Sequence, residues 1–247
     1  MSRGALRIWI IRHGDRFDYQ IGSDAWKKVA IRPLDPPLSE LGKKQALEMA
    51  EAVLLDSLAS QSRPITRIIS SPFLRCIETA NPLAAKLDLP LLLDHSLFEI
   101  GHTDAVLPPN QERKAYFPRI DETYESVFKP RDDEACPGQA IERFGRTVVD
   151  LTEKFPGESV VLVTHAAGVV TMVSRLLKRP IRSIPPASPA CLFMLERDSA
   201  DADWVLSADF PGSIAHLSDL GLTGPWPRQD GTSSASFVDG GDLASWL

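Results

Sequence analysis

The chain has 247 residues, 43% hydrophobic and 24% charged, with 15 glycines and 20 prolines. That composition excludes collagen, coiled coil and long disorder, and the length is ample for a sizeable core. A net charge of −6 argues against broad binding to nucleic acid or to an anionic membrane. The three cysteines, Cys76, Cys136 and Cys191, are scattered and form no CxxC pair, which suits a reducing compartment and gives no disulfide framework or zinc site. The apolar stretch Ile8 to Ile11 runs straight into Arg12-His13-Gly14-Asp15-Arg16 and is too short for a signal peptide. No apolar run approaches the roughly 20 residues of a spanning helix. A cytoplasmic, soluble protein is expected.

In chain order, Leu6 to Ile11 reads as a short buried strand ended by a glycine-containing loop. A polar stretch with Pro33, Pro36 and Pro37 follows, and Ser39 can cap a helix. Leu47, Ala50, Leu54 and Leu58, at spacings of three and four, predict one buried face on that helix. Ile65 to Ser70 is a second strand, Phe73 to about Leu87 a helix, and Leu91 to Leu93 a short third strand. Residues 101–137 are charged and proline-punctuated and read as an inserted cap or irregular loop. Ile141, Phe144, Val148, Leu151 and Phe155 mark an amphipathic helix stopped by Pro156-Gly157. Ser159 to Thr164 is then a continuous apolar strand of the central parallel kind, and Val169, Val170, Val173, Leu176 and Leu177 lie on the next helix. Two late strands, around Leu192–Leu195 and Trp204–Leu206, are expected at a sheet edge. The pattern predicts an α/β fold, a three-layer α/β/α sandwich on a mostly parallel sheet. One domain over residues 1–220 and a loosely packed tail over 221–247 complete the organisation.

Ligands of such sheets bind at the carboxyl ends of the strands. Here those ends carry Arg12, His13 and Arg16 after the first strand and Arg75 one turn beyond the second. Glu99 follows the third, and His165 ends the last central strand. Three guanidiniums converging on one rim require an anion, and their planar forks match phosphate oxygens. Like-charge repulsion from them keeps an imidazole neutral and nucleophilic. Gly14 is expected to let the backbone pass close to a tetrahedral anion. A second histidine can hydrogen-bond the transferring phosphoryl group. A protonated carboxyl such as Glu99 can protonate the leaving oxygen and later activate water. Arginines and histidines supply the positive charge, so neither metal nor cofactor is expected.

Arg12-His13-Gly14 on a strand end, Ser71-Pro72-Phe73-Leu74-Arg75 continuing to Thr79-Ala80, and Thr164-His165-Ala166 after a valine-rich strand resemble the histidine phosphatase superfamily, with its phosphoglycerate-mutase-like fold. The resemblance runs from about Ile8 to Leu177. Asp15-Arg16-Phe17-Asp18, Asp35-Pro36-Pro37-Leu38-Ser39 with Gly42, and Leu97-Phe98-Glu99 are most similar to the Sts-type and ecdysteroid-phosphate phosphatase domains of that superfamily. The resemblance implies His13 as phosphorylated nucleophile, Arg12, Arg16, Arg75 and His165 as the phosphate pocket, and Glu99 as proton donor. It implies a phosphate-ester substrate and allows a homodimer.

Two departures matter. Asp15-Arg16-Phe17-Asp18 stands where bisphosphoglycerate-dependent mutases carry Glu-Ser-x-Trp-Asn, and His165-Ala166 stands where the acid-phosphatase branch has His-Asp. A mutase and a catalytically silent scaffold are the rival readings. Each residue also has an ordinary alternative: His13 a satisfied structural histidine, Arg12, Arg16 and Arg75 surface charges, Glu99 a surface carboxylate. Asp15 and Asp18 are expected to orient Arg12 or Arg16. His95 and His216 read as structural or exposed, His102 as a neighbour of the pocket, the cysteines as core thiols and Trp226 as a packing anchor. Tyrosine phosphate, steroid phosphate, nucleotide and sugar phosphate all remain open as substrates.

Overall fold

The computed structural model describes residues 6–59, 63–100, 107–129 and 137–221. His102, Cys136, Trp226 and the tail from 222 lie outside the described residues.

Strand β1 (Leu6–Arg12) is buried along its whole length and leads into two short helices, α1 (Phe17–Ile21) and α2 (Ser23–Val29). Helix α3 (Glu40–Ala59), β2 (Ile65–Ser70), α4 (Leu74–Leu87) and β3 (Leu91–Leu93) follow. A 3-10 turn at His95–Leu97, the short α5 (Asn110–Lys114), α6 (Pro137–Lys154), β4 (Ser159–Thr164) and α7 (Ala166–Leu177) come next. β5 (Leu192–Arg197) and β6 (Val205–Ser213) are the last strands among the described residues. The sheet order is β3-β2-β4-β1-β5-β6. β3, β2, β4 and β1 run parallel, and β5 and β6 antiparallel to their neighbours.

Side chains alternate across a strand, and the two faces of this sheet bury two cores. Ile8, Ile10, Val160 and Leu162 pack with Phe144, Val148 and Leu151 of α6 and Val169 and Val173 of α7. Trp9, Ile11, Val161 and Val163 pack on the other side with Met49 and Val53 of α3 and Ile77 and Leu83 of α4. This is the predicted three-layer α/β/α sandwich. Both faces of β4 are covered, which is why its sequence is a run of valines and not an alternation.

Ser39 caps α3 as predicted, its hydroxyl accepting from the Gly42 N–H at 3.0 Å. The predicted buried face of that helix is corrected. Ala50 is buried, but Leu47 and Leu58 are 56% and 62% exposed. The buried side carries Gly42, Gln45, Ala46, Met49, Ala50, Val53 and Ser57. Helix α3 meets the loop after β1 closely at Gly42, and that contact, with Met49 and Val53 packed in the core, sets which side faces inward and overrides the leucine stripe. The late strands are corrected too: β5 is an inner strand between β1 and β6, and only β6 lies at the edge. Proline at position 211 fits an edge strand, where a missing N–H breaks no ladder. The stretch read as polar and proline-rich contains α1 and α2, both too short to show a helical period. The described part of the insert is not free of the sheet. Ile120 bridges Leu91, with Leu91 N donating to Arg119 O at 2.8 Å and Asp121 N to Leu91 O at 3.1 Å. It thereby covers the open side of β3.

Candidate active site

The carboxyl ends of β1, β2 and β4 are adjacent, so the residues that follow them meet. His13 N donates to Thr164 O at 3.0 Å and Ser71 N to Val163 O at 2.9 Å, carrying the sheet pattern one step past the strands. His13 and His165 are buried, with ring centroids 5.5 Å apart and planes at 65°. His13 Nδ1 lies 2.7 Å from the Gly14 carbonyl. A carbonyl only accepts, so Nδ1 carries the proton and Nε2 keeps its lone pair. Burial, followed by the charges of Arg75, Arg12 and His165, holds His13 well below its usual pKa. The predicted neutrality is present, and desolvation is its largest cause, ahead of arginine repulsion.

His165 is fixed on both ring nitrogens. Nε2 lies 2.9 Å from Ser71 Oγ, and Nδ1 lies 3.2 Å from Arg75 Nη2 and 3.2 Å from Glu99 Oε2. Ser71 has no role in the sequence reading, although its place directly after β2 was the signal for one. Arg75 is buried, stacked on the Phe73 ring at 4.4 Å, with Nη2 3.7 Å from Glu99 Oε2. Its Nε and Nη1 have no hydrogen-bond partner among the described residues. Buried donors left unpaired cost about 1–3 kcal/mol each. Their retention here marks a place for acceptor oxygens.

Arg12 is buried, donates from Nη1 to Ala187 O at 2.6 Å and is lowered to about 10 by burial, so it stays cationic at neutral pH. Arg16 lies at the rim. Its Nε and Nη2 donate to the two Asp18 oxygens at 2.9 and 2.7 Å, and its guanidinium sits 4.3 Å over Tyr19. Asp18 thus orients Arg16 as predicted, but Asp15 does a different job. Its carboxylate accepts from Ser39 Oγ at 2.6 Å and its backbone carbonyl from Ser39 N at 3.0 Å, tying the loop to α3. Gly14 has a packing reason beside the expected one: a Cβ there would meet Gly42 O at 2.7 Å, so the close approach of α3 by itself demands the glycine.

Glu99 is half-buried, its side chain 25% exposed. Burial raises its carboxyl, but the charge and hydrogen bond of His165, with Arg75 and the Ile100 N–H, outweigh that and hold it well below the carboxylate range. Cys76 Sγ lies 3.7 Å from His165 Nε2, and burial pushes its thiol up to about 12, so it remains an inert core thiol. Cys191 is also buried. His95 and His216 are both half-buried and outside this cluster. His13, Glu99 and His165 offer donor atoms within 4.8 Å of one another, a spacing a metal could use. Arg12 and Arg75 beside them oppose a dication and favour an anion. A cleft of about 610 Å³ lies elsewhere, between α2 and α5, lined by Trp26, Ile31, Leu74, Tyr116 and Phe117, and includes neither histidine.

Fold and site together define a buried cluster of two histidines and two arginines at the carboxyl edge of an α/β/α sandwich. The chain belongs to the histidine phosphatase superfamily (branch 1), whose family model matches residues 8–209. Among its relatives, the transcription factor tau 55 kDa subunit of Saccharomyces cerevisiae is 30% identical over 181 residues, 69% of this chain. The match spans 40% of that relative's length. The phosphoglycerate mutase-like protein 4 of Arabidopsis thaliana is 26% identical, with 87% of this chain and 88% of the relative covered. The ecdysone phosphate phosphatase from Bombix mori, solved with tungstate, has the same fold, with a TM-score of 0.62 over 98% of this chain and 99% of that one at 19% identity. Among the described residues, no helix is long and apolar enough to cross a membrane.

Proposed function

We propose that the protein is a metal-independent phosphomonoesterase that works through a phosphohistidine on His13. The observation that carries this reading is the 2.7 Å bond from His13 Nδ1 to the Gly14 carbonyl, which fixes the tautomer whose Nε2 is nucleophilic. In the first step Nε2 attacks phosphorus, the P–N bond forms, the bond to the leaving oxygen breaks and Glu99 gives that oxygen its proton. The ring becomes cationic, and its Nδ1–H bond to Gly14 strengthens. In the second step water attacks phosphorus, the P–N bond breaks and Glu99 takes the proton from water. Arg12, Arg75 and His165 face the charge on the phosphoryl oxygens, where positioning and charge stabilisation carry most of the catalysis. Arg16 contributes from the rim. Glu99 must enter the first step protonated. A phosphate dianion beside His165 and Arg75 offsets the charges that depress its pKa, so the substrate itself restores the acid.

The substrate is a phosphate ester, a small organic phosphate or a phosphotyrosine. Tungstate in the Bombix structure is an oxyanion of similar shape and supports a phosphate-sized pocket in this fold. The test is hydrolysis of p-nitrophenyl phosphate in EDTA by wild type beside His13→Ala. Turnover in wild type alone, with both proteins folded, is the expected result, and substantial turnover by His13→Ala refutes the nucleophile. A second reading, a non-catalytic subunit, is favoured by the yeast relative's name. A stoichiometric partner copurifying with a protein that turns over no phosphate ester supports that reading instead.

A further inference from the structure

Glu99 lies on neither helix nor strand, so something other than regular structure must hold it against His165. The preceding turn is held by side chains at every step. Arg143 Nη1, from α6, donates to Ser96 O at 2.7 Å and Phe98 O at 2.9 Å. Thr147 Oγ1 donates to Ser96 O at 3.2 Å, and Thr164 Oγ1 to Leu97 O at 3.0 Å. Three consecutive carbonyls before Glu99 are therefore bonded from outside the turn. Thr164 directly precedes His165, so one bond ties the backbones of both partners together.

Asp94 holds the same turn from its other end and is fully buried. Its Oδ1 accepts from Ser96 N at 2.9 Å and Ser96 Oγ at 2.6 Å. Its Oδ2 reaches the insert, accepting from Tyr124 OH at 2.6 Å and Val127 N at 3.1 Å. Ser126 Oγ adds a bond from His95 N at 2.9 Å. One oxygen of Asp94 thus grips the acid-bearing turn and the other grips segment 121–129. Burial and the neighbouring Asp94 raise the Tyr124 phenol above its usual value, in keeping with its role as donor.

We propose that Asp94, Tyr124 and Arg143 form a positioning clasp for the Glu99 carboxyl, through which segment 121–129 sets how strongly the leaving group is protonated. The inference rests on the reading of Glu99 as proton donor. Buried, fully bonded polar networks fix one geometry, and proton transfer is sensitive to displacements of about 1 Å. A clasp acting only through Glu99 affects the step in which a proton is needed and leaves phosphate binding alone.

The test compares p-nitrophenyl phosphate, whose leaving group needs little help, with p-nitrobenzyl phosphate, whose leaving group needs a proton. Tyr124→Phe removes one oxygen and is the variant least able to disturb folding; Arg143→Lys is the second, with thermal unfolding recorded for both. Tyr124→Phe is expected to lower kcat on the benzyl ester about tenfold and on the aryl ester less than about threefold, with KM unchanged. Added to Glu99→Gln, it is expected to cost nothing further on the benzyl ester, since both act on one step. Equal loss on both esters, no loss on either, or a further loss on top of Glu99→Gln overturns the clasp. Glu99→Gln is the separate control. If it harms both esters equally, the acid reading falls and takes the clasp with it; if it is selective and Tyr124→Phe is not, the clasp alone falls.

Discussion

Placing a methyl group on Gly42 tests how the loop after β1, which carries His13, is held. Gly42 is the third residue of α3, and a Cβ there would lie 2.1 Å from Asp15 O and 2.9 Å from Asp15 N. Both atoms are backbone, so no rotamer relieves the clash; loop and helix must separate by more than about 1 Å to restore ordinary contact. The loop is pinned at that point by Ser39 N to Asp15 O at 3.0 Å, Ser39 Oγ to Asp15 Oδ2 at 2.6 Å and Asp15 N to Gln45 Oε1 at 2.9 Å. Overpacking costs about 1–3 kcal/mol, and two weakened hydrogen bonds about 1 kcal/mol each. The alanine returns about 1 kcal/mol of helix propensity. Gly42→Ala should therefore destabilise by about 3 kcal/mol in urea unfolding. Because Asp15 lies two residues from His13, turnover of p-nitrophenyl phosphate should fall about 100-fold. Gly145→Ala is the control. On α6 its nearest neighbours are Arg175 side-chain atoms at 3.9 Å, so it should stabilise by up to about 1 kcal/mol with activity intact. Wild-type stability in Gly42→Ala refutes the packing argument, and lost stability with full activity refutes the claim that this contact places His13.

Arg113 and Asp35 form a buried ion pair at 2.5 Å, and Asp35 Oδ1 also accepts from Leu74 N at 2.7 Å, at the start of the helix that carries Arg75. Arg113→Met leaves that carboxylate buried without its cation and should cost about 3–5 kcal/mol in chemical denaturation; a loss under about 1 kcal/mol contradicts the pairing argument. His13 makes stability depend on pH. Its folded pKa lies below the unfolded value of 6.5, so between the two the unfolded chain binds more protons. The contribution is complete above about pH 6.5 and is lost as pH falls toward the folded pKa, with a slope of at most about 1.4 kcal/mol per pH unit. Wild type should thus lose more stability than His13→Ala between pH 7.5 and 5.5, and parallel curves would show that His13 is not held neutral.

The parts of this fold legible in sequence are those with a strong local cause. β2 and β4 begin and end as predicted, because β-branched runs bounded by turn residues leave no alternative. The rim was legible for a related reason: strand ends are where an α/β sheet collects its chemistry, and the sequence has histidine or arginine at or just beyond three of them. What sequence did not convey depends on long-range approach. Leu47 and Leu58 look like a buried stripe until the loop after β1 closes on Gly42 and turns the other side of α3 inward. Gly14 invites a ligand explanation, and only the same contact adds the packing one. Ser71 and Asp94 do not stand out in sequence because a serine or an aspartate at a strand end is also ordinary turn chemistry. Only the partners, His165 for one and Tyr124 for the other, distinguish the two roles.

The charge arrangement explains why these residue types occur together. Arg12 and Arg75 are buried close to His13, while Arg16 has its charge committed to Asp18. His13 is held neutral first by desolvation and then by the repulsion of the two arginines, so in the proposed mechanism a neutral nucleophile stands beside the cations that would meet a phosphate. Glu99 answers in the opposite sense. With the pocket empty, His165 and Arg75 keep it ionised, and its charge partly offsets theirs. When a phosphate dianion takes over that offset, Glu99 is left beside a new negative charge in a desolvated place, and its proton affinity rises. In the proposed mechanism, filling the pocket therefore converts the carboxylate into the acid that the first step needs. This proposed coupling requires Glu99 to stay within reach of His165 throughout, the placement that the clasp inferred above would maintain.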